Sequence, residues 1–202
     1  MFNELSEASV VPLKIIEMDT VYNSYQGPYM QTFYIQELKM LIAIYHEENT
    51  SLAMVDGFYL FVDYLGGIDN FHKVCDCIIT DRGSEFSKPD LIETNLNGEY
   101  MCKVFYANPI ASHQKAKVER KHVELRKILP KKHDLTALGL TSQEALNKVI
   151  SHVNSEVLES LNHKSPFQVA KFFYPDIIEN LHKKNIIEIH AQDVILKPYL
   201  LK

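Results

Sequence analysis

Residues 13–22 (LKIIEMDTVY) are dominated by β-branched and long apolar side chains and run into the polar stretch NSYQGP. That combination predicts a strand closed by a turn. Residues 29–36 (YMQTFYIQ) and 38–46 (LKMLIAIYH) are rich in aromatic and aliphatic side chains and hold no Pro or Gly. With the first run they predict three strands joined by short turns, an antiparallel meander. Asn49-Thr50-Ser51 is a helix N-cap signal, and Leu52, Val55, Phe58, Tyr59 and Val62 follow at helical spacing up to Gly66-Gly67. Residues 74–80 (VCDCIIT) predict a short apolar strand ending at Asp81-Arg82-Gly83, FSKPDLIE a short helix, and 101–107 (MCKVFYA) another strand.

After a break at Asn108-Pro109, the stretch from Ser112 to Leu129 holds no Gly or Pro and predicts a basic helix stopped by Pro130. Residues 142–161 open on a Ser cap signal and keep apolar periodicity, a further helix; Ser165-Pro166 starts another that runs through Phe172 and Phe173. The tail, IIEIHAQDVILKPYLLK, has no clear period and reads as an extended arm or a strand. No repeat, low-complexity segment or linker divides the chain. Residues 1–175 are therefore expected to form one core, with 176–202 an extension of the same domain or an arm. Three strands followed by strands alternating with helices predict an α/β fold with a mixed five-stranded sheet flanked by helices, an order that fits the ribonuclease-H-like layout.

With 202 residues, 46% hydrophobic and 23% charged, the chain is globular in composition and not disordered. Apolar runs all stop well short of about 18 residues, so no transmembrane helix and no membrane partner are expected. The early acids of the N-terminus do not resemble a secretory signal, and three cysteines (Cys75, Cys77, Cys102) suit a reducing cytoplasm. Cys75-x-Cys77 is one residue short of the usual zinc spacing and reads as buried small hydrophobes. Net charge is −5, which argues against nucleic acid, but its distribution does not. Residues 111–133 carry eight Lys/Arg against two acids, so that window is +6 and the remainder −11. Such a stripe is either a footprint for a polyanion or a solvated helix face.

Three acids stand where a core does not want them. Asp19 lies mid-strand among apolar residues, Asp81 where a strand stops, and Glu119 inside the basic helix. Individually each has a bland reading: a turn cap, a turn start, and an ion pair with Lys115 or Arg126. If the first and fourth strands are neighbours and the helix packs on them, the three meet. Gathered carboxylates raise one another's pKa unless cations neutralise them, and hard oxygen ligands suit Mg²⁺ or Mn²⁺.

Ile79-Thr80-Asp81-Arg82-Gly83-Ser84-Glu85-Phe86 resembles the second-aspartate motif of retroviral-integrase-type catalytic cores. Glu17-Met18-Asp19-Thr20-Val21 looks like the first-aspartate strand of bacterial insertion-sequence transposases. The run from Ser112 to His122, with Leu129-Pro130-Lys131-Lys132 after it, is similar to their third-carboxylate helix. Leu161-Asn162-His163-Lys164-Ser165-Pro166 resembles a later family turn. Thirty-seven residues separate Asp81 from Glu119, near the family's usual interval. The group most resembled is the insertion-sequence-thirty family of DDE transposases. Two departures bear on the substrate loop: the family's Gly before the third acid is replaced in Lys115-Ala116-Lys117, and its Trp position holds His113.

The resemblance implies DNA strand cleavage and strand transfer at Asp19, Asp81 and Glu119, which would hold two Mg²⁺ or Mn²⁺ ions. It implies transposon ends and target DNA as partners, a homodimer or larger assembly on DNA, and a bacterial cytoplasm with nucleoid association. Lys115, Lys117, Lys121, His122 and Arg126 are the expected DNA contacts, and Arg82 and Glu85 flank the site. A ribonuclease-H-like nuclease without strand transfer and a catalytically silent assembly module remain the alternatives.

Overall fold

The computed structural model describes residues 12–107 and 116–202. Five strands, β1 (Ile15–Val21), β2 (Tyr29–Ile35), β3 (Met40–His46), β4 (Cys77–Thr80) and β5 (Lys103–Tyr106), form one sheet in the order β3-β2-β1-β4-β5. The first three make the expected antiparallel meander, while β4 joins β1, and β5 joins β4, in parallel. The parallel half needs crossover connections. The first is supplied by α1 (Ser51–Leu65) and α2 (Ile68–Val74), the second by a short helix, α3 (Asp90–Glu93). Residues 74–80 were expected as strand throughout; instead Val74 ends α2 and the strand starts at Cys77. The helical turn runs Ile68, Phe71, Val74 into the core, a three-residue spacing too short to stand out in sequence.

The aromatic side chains of α1 and α2 fill one face of the sheet. Phe33 of β2 stacks on Phe61 at 4.2 Å, and Phe71 meets Phe58 edge-on at 5.5 Å. On the edge of the sheet, β3 would expose unpaired backbone, a liability in any soluble sheet. The helix α5 (Gln143–Ser155) covers it with side-chain amides. Asn154 accepts from Leu41 N–H at 2.9 Å and donates to Leu41 O at 2.6 Å; Gln143 does the same for Tyr45 N–H and Ala43 O. The helix expected over 142–161 therefore ends at Ser155, where Glu156 turns extended.

Two further helices, α6 (Pro166–Phe173) and α7 (Pro175–Lys183), close the helical layer. α6 opens on a complete capping box between Ser165 and Gln168. The tail, expected as an extended arm or a strand, is a strap laid along α5 that is broken by two short 3-10 turns, Ala191–Asp193 and Pro198–Leu201. Its backbone donates from Ile187 to Ser151 Oγ (3.0 Å), from Ile189 to Ser155 Oγ (2.8 Å) and from Ile195 to the His152 ring (3.0 Å). Among the described residues no single helix is long and apolar enough to cross a membrane.

Candidate active site

The parallel pairing of β1 and β4 sets Ile15 against Cys77 and Glu17 against Ile79. Carried two residues further, the same offset brings Asp19 beside Asp81, where β4 has just ended. Neighbouring strands run about 4.8 Å apart, so positions 19 and 81 fall at the same end of the β1–β4 pair. Each is held by a local backbone N–H: Thr20 donates to Asp19 Oδ1 and Gly83 to Asp81 Oδ1, both at 3.0 Å. Asp81 thus fixes the turn that follows β4.

The third acid arrives on α4 (Ala116–Ile128). Val118, Leu125 and Ile128 bury one face of this helix, which lies along β1 in the same direction. A residue absent from the expected set anchors its start. Glu17, fully buried in β1, accepts from Val118 N–H at 2.9 Å and from Gln36 Nε2 at 2.6 Å. A carboxylate at a helix N-terminus meets both the unbonded N–H groups and the positive end of the dipole. Because side chains alternate along a strand, Glu17 and Asp19 project from the same face. One binds the helix that the other must meet.

At mid-helix, the His122 ring lies between β1 and β2. Thr32, paired with Asp19 across the strands, donates to Asp19 O (3.1 Å), and its oxygen faces His122 Nε2 at 3.0 Å. The other ring nitrogen stands 3.8 Å from Asp19 Oδ2. At the far end, Arg126 donates to Asn23 Oδ1 and to the carbonyls of Tyr22 and Leu129, the last two at 3.2 Å. Asn23 in turn donates to Pro130 O and His133 O. These bonds fasten the turn after β1 to the end of α4. An open groove of about 520 Å³ results, bordered by Thr20, Tyr22, Glu119, His122, Arg126 and Lys131.

The expected cations do not all face this groove. Lys121 is only 3% exposed; its ammonium pairs with Glu124 and donates to Val153 O at 3.1 Å. Burial pulls its pKa down against the pull of Glu124, and burial raises the Glu124 carboxyl. As a DNA contact Lys121 is therefore corrected to an internal one. His122 and Arg126 border the groove, but their polar atoms are engaged by the protein, and burial lowers the guanidinium's pKa. Lys117 is exposed and donates to Gln36 Oε1 at 2.6 Å. Lys115, His113 and the start of the predicted helix lie outside the described residues. Arg82 is exposed. Glu85 folds over Gly83, where an added Cβ would come within 2.4 Å of its Oε2. Burial and the neighbouring Tyr25 hydroxyl raise the Tyr22 pKa, and the Glu85 charge adds to this.

Three carboxylate side chains are a hard donor set suited to Mg²⁺ or Mn²⁺. They do not form a finished cage: among the described residues no three His, Cys, Asp or Glu side chains stand together closely enough to hold an ion. Asp19 and Asp81 hold corresponding positions of the β1–β4 pair, and Glu119 is exposed on the groove's rim. The cysteines offer no rival centre. Burial raises the thiols of Cys75 and Cys77, the latter to about 12, so they stay protonated.

No protein-family model and no curated protein matches the chain. Solved structures do. The HTLV-2 integrase catalytic core domain in complex with magnesium, in its trimeric form, superposes with a TM-score of 0.56 at 19% identity, over 80% of this chain and 98% of that one. The fold is that of an integrase catalytic core. The BIV integrase core gives 0.56 at 15% identity over 85% and 97% of the two chains. A simian T-cell lymphotropic virus intasome, solved in complex with PP2A regulatory subunit B56 gamma, gives 0.60 at 17% over 80% and 55%. The integrase-core layout, ribonuclease-H-like with its mixed five-stranded sheet, is the one expected from the order of elements.

Proposed function

We propose that this chain is the catalytic core of a DDE transposase of the insertion-sequence-thirty type, which nicks DNA at transposon ends and joins the freed 3′-hydroxyl to target DNA. One observation supports the reading most: β1 and β4 pair in parallel at a register that matches Asp19 with Asp81, and α4, which carries Glu119, packs on β1. The integrase-core fold supports it. Two bound Mg²⁺ or Mn²⁺ ions would activate the attacking oxygen and neutralise charge at phosphorus. The chain's own part is positioning. Asp19 is steadied by Thr20 N–H and the His122 ring, Asp81 by its turn, and Glu119 by the Glu17 anchor beneath α4. In this reading the chain assembles on DNA as a homodimer or larger, in a bacterial cytoplasm.

The test is metal-dependent nicking and strand transfer by the whole protein on DNA carrying transposon ends. Changing Asp19, Asp81 or Glu119 to the matching amide should abolish both; retained turnover would sink the assignment. The open arrangement of the three carboxylates favours a second reading, a silent assembly module. A flat calorimetric titration with Mn²⁺ would support that reading instead.

A further inference from the structure

On the flank of α4 away from the Glu119 groove lies a second depression, of about 310 Å³, between the helix, the β2–β3 turn and the loop around Ser160. Its rim carries Lys39, Lys117 and Arg120. Lys39 sits in the left-handed region (φ 51°) and is fixed by the turn. Its ammonium donates to Ser160 O at 2.9 Å, while Lys117 donates to the Gln36 amide oxygen at 2.6 Å. Both acceptors are neutral, and among the described residues none of the three cations has a carboxylate partner. The carboxylate that does line the depression, Glu124, is paired with buried Lys121. Three cations without a carboxylate partner of their own therefore border one concavity of a protein whose net charge is −5.

We propose that this depression is a phosphate cradle that binds a backbone phosphodiester of duplex DNA, apart from the scissile one. Ammonium and guanidinium groups are donors only, so they match phosphate oxygens and carry no base information. The arginine fork can engage one phosphate through two oxygens. The neutral carbonyls now holding the lysines are weak competitors for a charged oxygen. The inference rests on the reading of this chain as a DNA enzyme and adds where the DNA lies.

The experiment uses the whole protein and a short fluorescein-labelled duplex, read by anisotropy across a salt series. Lys39→Gln with Arg120→Gln should flatten the slope of log K against log salt by about 0.9 for each phosphate no longer neutralised. In parallel, acetylation of Lys39 read by mass spectrometry should fall several-fold with duplex and stay unchanged with inorganic phosphate. An unchanged slope in the double variant, or equal protection by inorganic phosphate, overturns the cradle. If the wild type binds and cuts DNA while the variant keeps its slope, the cradle alone is wrong. If the wild type neither binds nor cuts DNA, the enzyme reading falls and takes the cradle with it.

Discussion

Replacing Glu17 with Gln tests how α4 is held against the sheet. The change keeps shape and volume but removes a charge from a fully buried position. Removing a buried charge can stabilise a protein by ending its desolvation. The hydrogen bonds decide the sign here. Val118 N–H and the Gln36 amide both point donors at Glu17. A Gln at 17 offers one oxygen, so its NH₂ must face one of those donors. If Gln36 flips to accept it, Lys117 loses the oxygen it holds at 2.6 Å. One unsatisfied buried donor costs about 1–3 kcal/mol. The helix also loses an anion at its N-terminus, typically about 0.3–1 kcal/mol. We expect a net loss of about 1–3 kcal/mol, or roughly 3–10 °C in Tm for a chain of this size. Hydrogen exchange gives the local readout: the Val118 amide should lose protection before the sheet does. An unchanged Tm with undiminished protection at Val118 would refute the anchor.

Three further outcomes follow from the packing. Gly57→Ala should destabilise by about 1–3 kcal/mol despite a helix-propensity gain of about 1. The new Cβ would lie 2.0 Å from Gln31 Oε1 and 2.5 Å from His46 Nε2, and Gln31 is fixed by bonds to Met54 O and His46; urea melts that show a gain would contradict this. The half-buried His46 ring has its pKa lowered to about 4 by burial, partly offset by Asp56. Its neutral form is favoured on folding, so its contribution is complete above about pH 6.5 and is lost as pH falls towards 4; with solvent screening that is roughly 1–2 kcal/mol. His46→Gln should lose correspondingly less stability over that window in pH-dependent melts, and equal losses would refute the assignment. Finally, Lys121→Met should leave the salt slope of DNA binding unchanged, whereas Lys117→Ala should flatten it by about 0.9; a lower slope for Lys121→Met would return that residue to the DNA surface.

The sheet was legible because its strands carry their own punctuation: Asn23 to Pro28 closes β1, and Asp81-Arg82-Gly83 closes β4. The expected neighbourhood of the first and fourth strands is the observed β1–β4 pairing, which matches positions 19 and 81 in register. The basic helix misled because like charges at helical spacing say nothing of what each one touches. Lys121 falls between Val118 and Leu125 on the inward stripe, where its stem packs and its ammonium finds Val153 O and Glu124. Glu17 was missed for the opposite reason. Its partner is a backbone N–H 101 residues away, and no pattern of side chains announces such a bond. The helix over 142–161 ended early because periodicity persists past Ser155 while the chain turns extended to bring Leu158 against Lys164.

In the proposed function, Asp19, Asp81 and Glu119 act as one metal-dependent centre on DNA. The most direct measurement is the rate at which the whole protein, with Mn²⁺, nicks an end-labelled duplex, compared between wild type and Asp81→Asn with melting temperatures in parallel. Cleavage by the wild type that requires the metal, and falls on the order of a hundredfold or more in the variant without loss of fold, is the predicted result. Nicking that persists in Asp81→Asn at the wild-type rate would contradict it.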